Sequence, residues 1–167
     1  NIAGTLLVGA NTLVEKPSEN VIIYGHNMND KSMFHDILNY ENANYYTSHK
    51  YIEFDTLTRK GKYEVIAAFR TEAHAEEEKY EGFNVYDKVN LSKDEFNKFI
   101  ADCIDKTPYA TNSKDITYGD KLITLSTCAY HTENGRYVVI AKLINEKTVD
   151  LSKEPIEIIT TTTEEQK

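Results

Sequence analysis

Three residues able to do acyl-transfer chemistry stand at the ends of β-prone runs: Cys128, Arg136 and His26. A thiol is a strong nucleophile only as thiolate, so it needs a lowered pKa or a base to take its proton. Histidine is the usual base, because its ordinary pKa lies near working pH. Attack on an amide creates a tetrahedral oxyanion, which needs fixed donors. An arginine beside the cysteine can supply them, since it stays charged and carries several N–H groups. Cys128, His26 and Arg136 therefore form a coherent kit, although spacing alone brings His26 near neither of the others. His35, His49, His74 and His131 compete for the role of base, and His131, only three residues from Cys128, is the most serious rival. Each residue also has a plainer meaning. A lone cysteine at a strand end is more often packing, a histidine after glycine a turn residue, and an arginine at a strand start a surface charge.

The elements that must position these side chains are legible in the pattern. Residues 122–128 alternate with the period of a half-buried strand that ends on Cys128. Alternation puts Ser126 on the same face as the thiol, where its hydroxyl has a hydrogen bond to donate; Thr127 flanks it, and for both the plainer meaning is β-prone filler. Residues 129–135 have the length and the Asn134-Gly135 chemistry of a hairpin loop. A second strand, 137–144, follows Arg136, so pairing of the two strands places thiol and guanidinium at one end of a hairpin. A third apolar run, 21–26, ends on His26.

Elsewhere, 2–8 reads as a strand, and Asp30 as the cap of a short helix carrying Met33, Phe34, Ile37 and Leu38. Tyr45, Tyr46 and His49 suit a second helical turn. Residues 51–57 and 63–70 read as a hairpin turning at 59–62, and 72–81 as an acidic, solvated loop or helix. The clearest helix is 93–105. Ser92 and Glu95 form a capping box, and Phe96, Phe99, Ile100, Cys103 and Ile104 make an apolar stripe that must pack on a sheet. The order predicts a mostly antiparallel β-barrel or sandwich with peripheral helices. After Ile144 the pattern fades, apart from a β-prone run at 156–163.

Composition narrows the classes. A chain of 167 residues suits one domain with a real core. Its net charge of −8 argues against nucleic acid as a partner. Two cysteines are too few for a disulfide framework, and Cys103 on its helical stripe reads as a small buried hydrophobe, although its pairing with Cys128 stays open. No metal-ligand spacing, signal peptide or transmembrane run is visible. The start at Asn1, inside a β-prone run, points to an excised N-terminus.

Taken together, these residues resemble a known family. Thr124-Leu125-Ser126-Thr127-Cys128, a short loop and Arg136-Tyr137-Val138-Val139 are similar to the signature of sortases, the cysteine transpeptidases of Gram-positive bacteria. Ile23-Tyr24-Gly25-His26-Asn27-Met28, with Ser32-Met33-Phe34 and Leu38, resembles the histidine segment of class B. So do Tyr45, His49, Tyr51-Ile52 and Phe54, and the helix before the cysteine strand. The resemblance runs from about Gly4 to Ile144.

The resemblance implies a sortase-type β-barrel, closed or partly closed, over 1–145, with 146–167 as a tail. It implies that Cys128 cleaves a sorting-signal peptide of the Asn-Pro-x-Thr type after Thr and forms a thioester. An amine of peptidoglycan or of a pilin then resolves that thioester. His26 would be the acid and base, and Arg136 would hold the oxyanion or the substrate backbone. Tyr24, Ser126 and Thr127 would face substrate, with the 92–105 helix in the wall that reads it. No metal or organic cofactor is implied. The full-length protein would be membrane-anchored and act at the extracellular face of the membrane. Class B proteins carry an anchor, a helical segment and two strands ahead of the Gly4 strand, none of which lies in this sequence. The 156–163 run is therefore expected to pair with an open sheet edge, in its own chain or in another. The tail is longer than the class leads one to expect. Ala129 stands where some relatives place an acid. Two other functions fit the same residues: a cysteine peptidase that hydrolyses its acyl-enzyme, and an inactive barrel that binds peptide or cell wall.

Overall fold

In a computed structural model of the chain, which describes residues 5–9, 12–14, 19–73, 84–85 and 88–150, the β-prone runs become six strands. These are β1 (Leu7–Val8), β2 (Asn20–Tyr24), β3 (Tyr51–Asp55), β4 (Arg59–Glu72), β5 (Leu122–Cys128) and β6 (Gly135–Thr148). They form one sheet in the order β1-β2-β5-β6-β4-β3. Every pairing is antiparallel except β2 with β5, which run parallel. The sheet is curled into a half-barrel, so the partly closed form of the expected barrel is the one seen. Irregular register between Lys62/Tyr63 and Val65/Ala67 of β4 adds curl, because a bulge bends its strand and increases the twist.

The middle strands are buried on both faces. Leu122 to Thr127 of β5 and Tyr137 to Ala141 of β6 are all buried. One face packs under a 3₁₀ helix (His35–Glu41) and α1 (Ala43–Ser48), where Ile37, Tyr40 and Tyr46 meet Val21, Ile123, Leu125 and Val139. The other face packs under α2 (Lys93–Lys106), where Phe96, Phe99, Ile100 and Cys103 meet Ile66, Phe69, Val138 and Ile140. Burying each such side chain contributes roughly 1.5–3 kcal/mol. The capping box forms as expected: the Glu95 carboxylate accepts from Ser92 N–H at 2.9 Å and from Ser92 Oγ at 2.6 Å. These bonds favour the charged form and hold the Glu95 carboxyl below its ordinary pKa. Cys103 is the buried hydrophobe predicted; it is a free thiol, as is Cys128, so the two are not paired.

One buried polar pair ties the layers. Asn20, 1% exposed, donates Nδ2 to the Lys88 carbonyl at 2.9 Å and accepts from Thr124 Oγ1 at 2.9 Å. Both groups thus reach the partners that buried polar atoms require.

Several boundaries differ from the sequence reading. β2 ends at Tyr24, so His26 lies beyond the strand. Asp30 does not cap the 3₁₀ helix. It accepts from Ser32 N–H and Oγ, closing a turn in which Lys31 and Met33 have φ of +65° and +60°. That left-handed Met33 is incompatible with a right-handed helix, which starts only at His35. The β3–β4 turn is 56–58, not 59–62. The Thr56 hydroxyl accepts from the N–H groups of Thr58 and Arg59, a local capture that a threonine makes readily. β6 continues to Thr148, paired with β4 as far as Arg59; its end is exposed and so carries no apolar alternation to read. Ile104 is 37% exposed, off the buried stripe of α2. Most of the acidic 72–81 stretch, and the 156–163 run with its expected edge pairing, lie outside the described residues.

Candidate active site

The site is assembled where two pairings end together. Along β5–β6 the last antiparallel partners are Cys128 and Arg136. Residues directly opposite in an antiparallel pair project to the same face, about 4.5–5.5 Å apart at the backbone. The hairpin loop beyond them is closed by Ala129 N–H to the Gly135 carbonyl at 3.0 Å. Only glycine fits at 135, because a Cβ there would sit 2.0 Å from the Ala129 carbonyl oxygen. The expectation that thiol and guanidinium share one end of a hairpin is met.

Along β2–β5 the last parallel partners are Tyr24 and Ser126. Gly25 N–H donates to the Ser126 carbonyl at 3.0 Å, and Thr127 Oγ1 donates to the Gly25 carbonyl at 2.8 Å. His26 and Cys128 each follow two residues after that last pair, so the parallel register carries the imidazole segment to the thiol. Phe34 N–H donates to the His26 carbonyl at 2.9 Å and fixes the backbone there.

The three side chains line one cleft of about 160 Å³ together with Thr5, Leu7, Tyr24, Gly25, Ser126 and Thr127. His26 is exposed, while Cys128 and Arg136 are half-buried. Arg136 Nη1 donates to the Gly135 carbonyl at 2.9 Å, which holds the guanidinium at the hairpin end. No carboxylate lines the cleft among the described residues, in a chain whose net charge is −8. The Arg136 guanidinium is thus the fixed positive charge of the cleft lining, a donor available to an oxyanion.

The rival histidines lie elsewhere. His131 turns its Nδ1 to the Ala129 carbonyl at 2.9 Å and does not line the cleft. His49 stacks on Tyr45 at 3.9 Å between ring centroids, and His35 bonds to Asn27. His74 lies outside the described residues. Of the expected substrate-facing residues, Tyr24 is half-buried, and Ser126 and Thr127 are 1% and 2% exposed. The α2 helix contributes no lining residue; it packs on β4 over the sheet face. Ala129 is buried in the apolar cluster on the opposite face, where a carboxylate would be costly.

Sequence reasoning missed Thr5 and Leu7. The pairing of Leu7 with Tyr24 puts Leu7 on the wall, and only that register, not the β1 pattern, identifies it. It also missed Asn27, whose Nδ2 donates to the Cys128 carbonyl at 3.0 Å across 101 residues of chain.

Similarity to known proteins agrees with this geometry. Residues 4–144 match the sortase domain family. Sortase B of Staphylococcus aureus is 27% identical over 143 residues, which cover 84% of this chain. The chain spans about half the length of the curated relatives it matches, 55% of the Staphylococcus protein and 56% of sortase B from Listeria monocytogenes. An X-ray structure of Clostridium perfringens sortase B superposes with a TM-score of 0.73 at 26% identity, covering 87% of this chain and 75% of that one. A Staphylococcus aureus sortase B–substrate complex superposes with a TM-score of 0.72 at 26% identity, covering 86% and 63%. With most of its length matched and its fold reproduced, the chain belongs to the sortase family.

Proposed function

We propose that this chain is the catalytic part of a class B sortase, a cysteine transpeptidase that joins a sorting-signal peptide to an amine. The observation that carries this reading is the convergence of Cys128, His26 and Arg136 on one cleft. A peptide of the Asn-Pro-x-Thr type lies in the cleft against Tyr24, Ser126 and Thr127. The Cys128 thiolate attacks the Thr carbonyl carbon, and Arg136 donates to the oxyanion or to the substrate backbone. The C–N bond breaks, and His26 gives a proton to the leaving amine. The thioester is then attacked by the amine of a peptidoglycan or pilin acceptor, which loses its proton to His26 as the thiolate departs. Two features of the site support these roles: the thiol and guanidinium are register partners, and no carboxylate among the described residues lines the cleft.

The sequence division into a catalytic unit at 1–145 and a tail at 146–167 is shifted slightly, since β6 pairs with β4 as far as Thr148 and the first residues of that tail belong to the catalytic sheet. The reaction belongs at the extracellular face of a Gram-positive membrane, where the acceptor amines are, and the full-length protein is anchored there. No helix among the described residues is long and apolar enough to cross a membrane.

Intact-mass spectrometry with an Asn-Pro-x-Thr peptide, with and without a small amine, tests the reading. It expects an acyl adduct that Cys128→Ala abolishes and a ligated product only when amine is present. An adduct that passes only to hydrolysed peptide makes the protein a peptidase. Peptide binding without any adduct makes it a binding barrel.

A further inference from the structure

The β2–β5 ladder continues one rung past its backbone. In a parallel pair the donors recur every second residue, so Gly25 N–H to the Ser126 carbonyl calls for Asn27 N–H to the Cys128 carbonyl. The chain has already turned away at that point. Asn27 forms an isolated bridge with Met33 and lies at the base of the tight 28–33 turn. Its side chain supplies the missing donor: Nδ2 reaches the Cys128 carbonyl at 3.0 Å. The strand end that carries the thiol is thereby tied to the residue next to His26.

The amide is itself held. His35 Nδ1 lies 2.8 Å from Asn27 Oδ1. A carbonyl only accepts, so the amide must turn Nδ2 toward Cys128 and Oδ1 toward His35. The His35 nitrogen facing it must then carry a proton, which fixes the neutral ring in its Nδ1–H form. Neither Asn27 nor His35 lines the cleft, so neither is placed to touch substrate. Resting on the transpeptidase reading, we propose that Asn27 and His35 are positioning residues: His35 orients the Asn27 amide, and that amide holds Cys128 in register with His26.

The test is a variant series read in two ways, with melting temperature recorded for each protein. Asn27→Ala removes the rung, and Asn27→Asp replaces the donor with an acceptor. His35→Leu removes the orienting proton, whereas His35→Asn restores a donor where Nδ1 stood. With peptide and amine, kcat falls about 10- to 100-fold in Asn27→Ala, Asn27→Asp and His35→Leu, KM stays within about twofold, and His35→Asn recovers most of the loss. Without substrate, alkylation of Cys128 by iodoacetamide slows in the same order, since the thiol loses its aligned base. A loss carried by KM, a loss that merely tracks melting temperature, or equal rates for His35→Leu and His35→Asn overturns the assignment. If the parent forms no acyl-enzyme, the transpeptidase reading fails. The alkylation series still decides the positioning, because unchanged rates would refute it without any substrate.

Discussion

Gly25→Ala is the substitution that most directly loads the site. Gly25 separates Tyr24 from His26, and a Cβ there would lie 2.5 Å from Phe34 Cγ, 2.6 Å from Phe34 Cδ2 and 2.9 Å from Leu6 Cδ2. Ordinary contact begins near 3.4 Å, so the Phe34 ring must retreat by roughly 0.9 Å. Leu6 is 47% exposed and can swing aside. Phe34 cannot move so freely, because it packs on the core and its N–H holds the His26 carbonyl at 2.9 Å. The displacement is therefore passed to the imidazole. Overpacking of this kind costs about 1–3 kcal/mol, more than the ~0.4–1 kcal/mol that alanine returns by stiffening the unfolded chain. For a domain of this size, melting temperature falls by roughly 2–8 °C. Misplacing a reacting group by close to 1 Å lowers acylation by about 100-fold. Calorimetry and the rate of acyl-adduct formation by intact mass read the two effects separately. Adding Phe34→Ala removes the obstructing ring and restores acylation to the level of Phe34→Ala alone. A Gly25→Ala protein that acylates at the parent rate refutes the reasoning. So does a double variant no faster than Gly25→Ala, since the ring would then not be the cause.

Other predictions follow from the packing around the site. Asn20→Leu removes the donor to the Lys88 carbonyl and leaves the buried Thr124 hydroxyl without its Asn20 acceptor, and costs about 1–3 kcal/mol in urea unfolding. Thr124→Val in that background recovers about 1 kcal/mol, and strictly additive losses would sink the coupling. Glu95 contributes stability that is present above its ordinary pKa of 4.5 and lost as pH falls through its lower folded value. The melting-temperature gap between the parent and Glu95→Gln accordingly closes on acidification, and a constant gap across that range would remove the charge from the cap. Cys103 is fully buried, and burial raises its thiol well above the ordinary range. Iodoacetamide therefore labels Cys128 alone until denaturant is added. Modification of Cys103 in the native protein would contradict the seating of α2.

Local chemistry carried much of the fold into the sequence. The capping box announced α2 because Ser92 and Glu95 satisfy backbone donors within one turn. The β5–β6 hairpin was legible because Gly135 permits the close approach its loop needs and the flanking runs are β-prone throughout. Errors arose where one local cue had two meanings. Arg59 to Lys62 looked like a turn around Gly61 but lies within β4, since the Thr56 side chain had already reversed the chain. Asp30 looked like a helix cap but serves the turn before the helix.

The pairing of Cys128 with Arg136 was thus settled by the sequence itself, along with the helix that covers the sheet and the motifs that name the family. Contacts between neighbours in the chain are enough to specify these features. The approach of His26 to Cys128 was decided only by tertiary structure. Periodicity tells which face a strand buries but not which strand lies beside it, and the β2–β5 pair is parallel, so its partners are joined by a long crossover rather than a turn. That same pairing decided the place of Leu7 on the cleft wall and the clasp of Asn27 on the Cys128 carbonyl, because each depends on register between strands distant in sequence.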